Sequence, residues 1–151
     1  MTLASVATNG LIGVGYEGQA ITTFVDALVA DGVTRLVDVR LNPISRKPGF
    51  SKTALTAALT AAGIVYEHRP ELGNPKPNRA GFSGEADALA DARRVFSDWI
   101  SRPSAQQALD ALADAATSQR VAVLCFEADQ ARCHRDIVLA QVREREGQRR
   151  G

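Results

Sequence analysis

The chain has 151 residues, of which 45% are hydrophobic and 23% charged, as in a globular protein long enough for one core. The net charge of +1 neither favours nor excludes a polyanionic partner, and two cysteines do not make a disulfide-rich secreted scaffold. No apolar run approaches the roughly 20 residues that span a bilayer. We therefore expect a cytoplasmic protein with no signal peptide and no membrane partner, a single domain over residues 1–151 with flexible ends at 1–9 and 147–151.

Apolar runs and helical spacings alternate along the chain and predict four strands and five helices. The strands are predicted at residues 11–15, 35–39, 64–66 and 121–124. The helices are predicted from Ile21 to Val29, from a Ser51 cap to Gly63, from Glu85 toward Ile100, from a Ser104 and Gln107 capping box to Ala116, and from about Ala131 toward Glu146. The segment 69–84 is rich in Pro, Gly and Asn and is predicted to be a loop.

This alternation predicts a three-layer, Rossmann-like α/β domain with a mostly parallel sheet of about four strands. We take the strand order as 3-2-1-4, which makes the first and fourth strands neighbours. Because parallel strands end at one edge of a sheet, the segments that follow them become spatial neighbours. Those segments are residues 15–18, 38–40, 42–50, 68–82 and 125–135.

Positive charge is concentrated in the middle of the chain. Residues 40–79 contain seven basic and two acidic side chains, although the whole chain is nearly neutral. Most of these cations belong to the segments that we expect at the shared edge, which predicts an anion-attracting surface there. The alternative is that they are ordinary solvated loop charges.

Cys133 is expected in the first turn of the last helix, with Asp129 as its N-cap. The helix dipole, Arg132 and Arg135 would lower the pKa of a thiol there, and thiolate is the reactive form. The same features would bind a phosphate or carboxylate. The alternative is a buried cysteine that packs as a small apolar group. On a helix His134 would diverge from Cys133 by about 100°, so anion binding suits it better than activating the thiol.

Cys125 ends the fourth strand and is expected to be structural or supporting. A disulfide with Cys133 requires the two Cα atoms to lie closer than about 7 Å. A metal site from Cys125, Cys133, His134 and a fourth ligand matches no familiar zinc spacing, so we expect no metal. The glycines around Gly15 complete neither a dinucleotide fingerprint nor a Walker motif, so no cofactor is expected either.

Asp38 and Arg40 share one face of the second strand, because side chains alternate along a strand. One interpretation is a buried ion pair that fixes the edge of the sheet. The other is a carboxylate base beside a guanidinium that holds an anion. Tyr16 could stack on a base or pack in the core, and Glu127 lies in a loop of unknown geometry.

Five motifs occur in order along the chain: residues 15–18, residues 37–40 with Asn42, Pro43 and Ser45, residues 47–51, residues 71–75, and residues 125–127 with 133–135. Together they make the chain resemble the family known as domain-of-unknown-function family 488. The resemblance implies that the signature polar residues are Tyr16, Glu17, Asp38, Arg40, Ser45, Glu127, Cys133, His134 and Arg135. Gln130 stands where the family often has a proline, which affects loop stiffness more than chemistry. The resemblance implies a fold and a site, but no particular reaction.

Our leading hypothesis is an enzyme, a hydrolase or group transferase, that acts on a phosphate-bearing substrate such as a nucleotide or nucleic acid. Asp38 or Glu127 would act as the base or stabilise a developing cation, and Tyr16 would contact the base or sugar. The anion would be held by Arg40, Arg46, His134 and Arg135, with Glu17 and Ser45 completing the site.

Two other hypotheses stay open. In the first, Cys133 is a nucleophile or sulfur carrier and Cys125 is the resolving thiol. In the second, the protein is a non-enzymatic nucleic-acid-binding module that uses loops 42–52 and 68–82. Phe50 and Phe82 would then stack on bases, although anchoring the loops in the core is the simpler role for both rings.

Overall fold

Four parallel strands alternate with helices along the chain, as the sequence pattern predicts. The computed structural model describes residues 9–127 and 129–150, except the side chains of the last two. The strands are β1 (Gly10–Gly15), β2 (Arg35–Asp38), β3 (Val65–His68) and β4 (Arg120–Cys125). The helices are α1 (Ile21–Ala30), α2 (Lys52–Ala61), α3 (Ala86–Trp99), α4 (Pro103–Ala116) and α5 (Arg135–Arg150). Short 3-10 turns occupy Pro70–Leu72, Lys76–Asn78, Ala80–Ser83 and Gln130–Arg132.

The sheet order is β1-β4-β2-β3, with every neighbouring pair parallel. The predicted contact between the first and fourth strands is confirmed, but the order 3-2-1-4 is wrong, because β4 lies between β1 and β2. A central strand is covered on both faces and needs a continuous apolar run, and five of the six residues of β4 are buried. Glycine-containing β1 and half-exposed β3 form the two edges.

Helices cover both faces of the sheet and create two cores. On one face, α3, α4 and α5 pack on Val121, Val123 and Cys125. On the other face, α1 and α2 pack on Ala122 and Leu124. Because side chains alternate along β4, this strand contributes to both cores. The predicted three-layer α/β fold is confirmed. Among the described helices, none has the length and apolar character needed to cross a bilayer.

Several predicted helix ends differ from the structure. Helix α4 begins with Pro103, whose fixed φ suits a first helical position, so the predicted Ser104 cap is wrong. Ser51 occupies the N-cap position of α2, but its hydroxyl bonds to the backbone of Ser45. Helix α5 reaches Arg150, so the end predicted to be flexible is helical over 147–150. The other predicted flexible end lies outside the described residues, apart from residue 9.

The last helix begins later than predicted, and this changes the geometry around the second thiol. A 3-10 turn capped by the Asp129 carboxylate occupies Gln130–Arg132. Cys133 then has extended backbone angles, φ −135° and ψ 141°, and α5 starts two residues further on. The thiol therefore stands at the entrance of the helix rather than within its first turn.

Gly15 allows two of the edge segments to meet. A Cβ atom at this position would collide with the carbonyl group of Glu127 and approach the Arg135 guanidinium. The backbone N–H of Glu17 donates to the Phe126 carbonyl at 2.9 Å, so the chain leaving β1 runs against the chain leaving β4.

We predict that Gly15→Ala lowers the free energy of unfolding by about 1–3 kcal/mol, because the added methyl group has no room. Denaturant unfolding followed by the fluorescence of Trp99, the single tryptophan, measures this. Gly147→Ala is the matched control, because a Cβ there meets nothing within 4 Å and alanine favours a helix. Equal stability of the Gly15→Ala and wild-type proteins would contradict the close approach.

Candidate functional site

A cavity of about 200 Å³ lies at the carboxyl edge of the sheet. Segments from five parts of the chain contribute to its walls, which is the convergence that the alternating pattern predicts. Of the ten residues proposed from the sequence, five line this cavity: Tyr16, Arg40, Glu127, Cys133 and His134.

The buried floor of the cavity contains the two thiols and one imidazole. Cys125, Cys133 and His134 are all buried, and one ligand atom from each lies within 4.8 Å of the others. Cys125 comes from the end of β4, whereas the other two residues precede α5. The floor is therefore formed where the central strand meets the last helix.

In the reduced protein, the hydrogen bonds around the Cys133 sulfur would stabilise it as a thiolate. The backbone N–H of Arg135, at the start of α5, points at this sulfur from 3.5 Å. His134 Nδ1 lies 3.7 Å from the same atom. The predicted divergence of the two side chains is wrong, because it assumed that both residues were helical, and Cys133 is extended.

A hydrogen bond to the segment that follows β2 fixes the orientation of His134. Its Nε2 lies 2.8 Å from the Val39 carbonyl oxygen, which only accepts, so Nε2 carries the hydrogen and Nδ1 presents a lone pair to Cys133. Burial lowers the pKa of His134 to about 4, although the bond to Val39 acts in the opposite direction. The imidazole is therefore neutral near pH 7.

Arg135 supports the floor from beneath rather than facing the cavity. Its guanidinium is buried and donates from Nη1 to the Val14 carbonyl at 2.7 Å and toward the Cys125 sulfur at 3.5 Å. Burial lowers the pKa of Arg135, and the charges of Glu127, Asp136 and Asp129 act to raise it. The interpretation of Arg135 as a direct anion ligand therefore loses its geometric basis, and the side chain instead places positive charge beside the sulfur.

Cys125 and Cys133 form a disulfide in this structure, so the fold brings both sulfurs to one point. Their Cα atoms are 7.4 Å apart, beyond the roughly 4.4–6.8 Å that disulfides usually span. The Cys125 sulfur also lies 3.5 Å from Glu127 Oε2. Two cysteine sulfurs, a carboxylate and a neutral imidazole therefore surround one small volume.

Asp38 and Arg40 form a buried ion pair, which is the first of the two interpretations from the sequence. Asp38 is fully buried and accepts from Nε and Nη2 of Arg40, the latter at 2.7 Å, and from the Tyr66 hydroxyl at 2.6 Å. Arg40 also donates to the Tyr16 hydroxyl and the Phe50 carbonyl. These bonds use Asp38 and most of the Arg40 guanidinium for contacts within the protein.

The ion pair changes the acid–base properties of its members. Burial acts to lower the pKa of Arg40, but the hydrogen bonds and charge of Asp38 outweigh it and raise that pKa. Burial and the hydrogen bond to Asp38 raise the pKa of Tyr66. Arg40 therefore stays protonated and Tyr66 stays neutral at neutral pH, as members of a structural network should.

Three other residues proposed from the sequence lie outside the cavity lining. Ser45 accepts a hydrogen bond from the Lys47 N–H and shapes its own loop. Arg46 is exposed on the same loop, and Glu17 is exposed at the end of β1. His68 has a structural contact, with Nε2 2.8 Å from the Arg40 carbonyl.

Two exposed arginines at the cavity, Arg79 and Arg132, were not among the ten proposed site residues, although the sequence placed Arg132 with the features near Cys133 that could bind an anion. Arg79 donates to the Asn74 carbonyl, and Arg132 donates to the Phe82 and Gly84 carbonyls. Within the described residues neither has a carboxylate partner in an ion pair. The signal that could have found Arg79 is its place at the end of the predicted loop after the third strand.

Aromatic rings form one wall of the cavity. Tyr16 is buried and stacks on Phe50 with centroids 4.4 Å apart, so its ring packs in the core. Phe126 meets Tyr16 edge-on at 5.3 Å and remains 45% exposed. Phe126, rather than Tyr16, therefore offers an aromatic surface to a ligand.

The fold and the site define a class: an α/β protein with a Cys–His–Arg cluster below a cavity at the carboxyl edge of a parallel sheet. The chain belongs to the family described as Domain of unknown function DUF488, whose family model matches residues 20–142. This confirms the resemblance that the sequence motifs indicated. Comparison with curated proteins and with solved structures found no match to the chain.

We predict that Asp38→Asn lowers the free energy of unfolding by about 3–5 kcal/mol, because it leaves the buried Arg40 without a counter-charge. Urea unfolding monitored by circular dichroism measures the loss. The matched control is Asp91→Asn, which removes a carboxylate that is 63% exposed beside Arg94 and should leave the midpoint almost unchanged. Similar effects of the two substitutions would contradict the structural role of the Asp38 ion pair.

Proposed function

We propose that the protein is an enzyme, a hydrolase or group transferase, that binds a small phosphate-bearing substrate of the nucleotide class in this cavity. The observation that carries the proposal is the pair of exposed arginines, Arg79 and Arg132, beside a cavity whose floor holds polarisable and basic groups. Each arginine uses only part of its guanidinium for backbone carbonyls. Guanidinium groups are well suited to binding phosphate through paired hydrogen bonds.

The roles within the site differ from those inferred from the sequence. Arg79 and Arg132 replace Arg40 and Arg135 as the anion anchors, because the latter two are committed to protein partners. Phe126 supplies the aromatic face for a nucleobase, a stacking contact worth about 1–3 kcal/mol. A cavity of about 200 Å³ suits a small substrate or one nucleotide unit of a larger one.

Glu127 is the residue of the site best placed to move a proton. It lines the cavity, is partly exposed, and lies beside the floor. In the hydrolytic form of the reaction, Glu127 accepts a proton from water while the water oxygen attacks the electrophilic atom of the substrate. The bond to the leaving group breaks, and that group departs with the electron pair and the proton from Glu127. In group transfer, the hydroxyl or amino group of an acceptor takes the place of water.

A second candidate is covalent catalysis by Cys133, which the hydrogen-bond geometry at its sulfur favours. A thiol reductant would first open the disulfide with Cys125. The neutral Nδ1 of His134 and the N–H of Arg135 would then generate and stabilise the thiolate. The sulfur would bond to the electrophilic atom as the leaving group departs with its electron pair. Water would then cleave that bond and restore the thiolate. Mass spectrometry of acid-quenched protein separates the two mechanisms, because only this one leaves the substrate group on Cys133.

The nucleic-acid-binding hypothesis keeps its basic loops but loses the two rings that were expected to stack on bases. Phe50 and Phe82 are 0% and 4% exposed, so both anchor their loops in the core rather than face solvent. The remaining support is the excess of positive charge in the middle of the chain, which the small-substrate proposal also uses.

We predict that the double substitution Arg79→Gln and Arg132→Gln weakens nucleotide binding by roughly 10–100-fold, because each lost charge-assisted hydrogen bond costs about 1.5–3 kcal/mol before partial compensation by water. Titration of adenosine monophosphate followed by ligand-observed NMR measures this. Arg46→Gln is the matched control, since Arg46 is exposed but lies outside the cavity lining. Equal losses in the control and the double variant would instead indicate diffuse electrostatic attraction.

We also predict that Glu127→Gln lowers turnover by roughly 100-fold or more while substrate affinity stays within a few-fold, because the amide keeps the shape but cannot accept the proton. A panel of nucleotides and sugar phosphates, with product detection by chromatography, supplies the substrate for this test. Glu71→Gln, outside the cavity lining, is the control. Wild-type turnover in the Glu127 variant would exclude Glu127 as the base.

A further inference from the structure

We propose that Cys125, Cys133 and His134 together bind one Zn²⁺ ion, with a fourth coordination position that opens into the cavity beside Glu127. The inference deepens the proposed function, since such an ion would supply the hydrolytic nucleophile. Metal binding is measured without turnover, so the two proposals fail separately.

The donor atoms have the chemistry that zinc prefers. Two thiolates and one imidazole form the Cys₂His set of catalytic zinc sites, which keep one position open for water. The three donor atoms lie within 4.8 Å of one another. Two thiolates also cancel the charge of the ion, so a buried site of this composition avoids the cost of burying net charge.

The hydrogen bonds around these three residues orient their donor atoms as in metal-binding sites. Metal-binding histidines usually donate their second ring N–H to a carbonyl or carboxylate. His134 does so through the Val39 carbonyl, which leaves Nδ1 free of hydrogen and directed at the sulfur of Cys133. Each sulfur also receives one N–H group of Arg135, Cys133 from the backbone and Cys125 from the guanidinium. These bonds stabilise thiolate rather than thiol.

The backbone spacing favours an ion between the two sulfurs. The Cα atoms of Cys125 and Cys133 are 7.4 Å apart, wider than the usual disulfide range. Two thiolates at about 2.3 Å from a tetrahedral zinc lie about 3.8 Å from each other. Reduction therefore lets the sulfurs move apart toward this separation without bringing the backbones closer together.

The sequence pattern did not indicate this set of zinc ligands, because the spacing between them is unusual. Zinc motifs usually separate paired cysteine ligands by about three to five positions, whereas here the two cysteines are eight positions apart and the histidine follows the second directly. Adjacent residues reach one point because Cys133 is extended and His134 leads into α5. Our expectation of no metal rested on spacing alone.

Water bound to an ion at this position would supply the proton that Glu127 transfers. Zinc lowers the pKa of a bound water to about 7. The resulting hydroxide attacks the electrophilic atom of the substrate, the bond to the leaving group breaks, and that group takes the electron pair. Glu127 carries the proton from the water to the leaving group, so the overall reaction is hydrolysis with no other reagent.

The test is a titration of the reduced, metal-free full chain with Co²⁺ and then Zn²⁺. We expect one Co²⁺ per chain, with the visible absorption of tetrahedral cobalt and a near-ultraviolet thiolate charge-transfer band. Zn²⁺ should displace the Co²⁺ and remove both absorption bands. Cys125→Ser, Cys133→Ser and His134→Gln should each weaken Zn²⁺ binding by more than the roughly 10–100-fold that loss of an outer-sphere partner costs. His68→Gln removes the only other histidine and should bind normally. Circular dichroism shows whether each variant is folded.

If reduced wild-type protein titrated with Co²⁺ shows no thiolate charge-transfer band, the proposal is overturned, and this result needs no variant. Normal zinc affinity in a folded Cys133→Ser variant would overturn it as well. Zinc binding without nucleotide binding would leave the metal site standing and remove the proposed function. Full turnover by chelator-treated protein would support the proposed function and exclude the metal from it.

Discussion

One hydrogen bond, from His134 Nε2 to the Val39 carbonyl, organises the candidate site. It joins the residue before the last helix to the segment that leaves the second strand, 95 positions away in the sequence. A buried imidazole N–H without a partner would be costly, so this contact fixes where α5 can begin. The neighbouring Arg40 is held by the Asp38 ion pair in the opposite layer. The short segment after β2 therefore connects the two cores, and the cavity lies between these two anchored side chains.

The fold class and the convergence of segments could be predicted from the sequence, because both follow from the alternation of strands and helices. The strand order could not, since hydrophobic runs show that a strand is buried but not which neighbours cover it. β4 is the most continuously apolar strand, and this was the available signal for its central position. The start of α5 was misplaced because the 3-10 turn at Gln130–Arg132 has the same local composition as a helix.

The candidate site was predicted in its location but not in its division of roles. The excess of positive charge over residues 40–79 could not show that Arg40 is hydrogen-bonded to Asp38 while Arg79 remains exposed. That distinction depends on partners that only the folded chain brings together. The Cys133 and His134 pair shows the same limit, because a change from helical to extended backbone at one residue turned divergent side chains into neighbours.

The central position of β4 has a consequence for how the protein is made. β1 and β2 do not pair with each other within the described chain, and each is instead hydrogen-bonded to β4. A nascent chain that has emerged only as far as α4 thus carries two apolar strands with a gap between them. Such unpaired edges favour aggregation until the missing partner is inserted. β4 must therefore leave the ribosome before the sheet can close, and the residues that follow it then assemble the floor of the cavity.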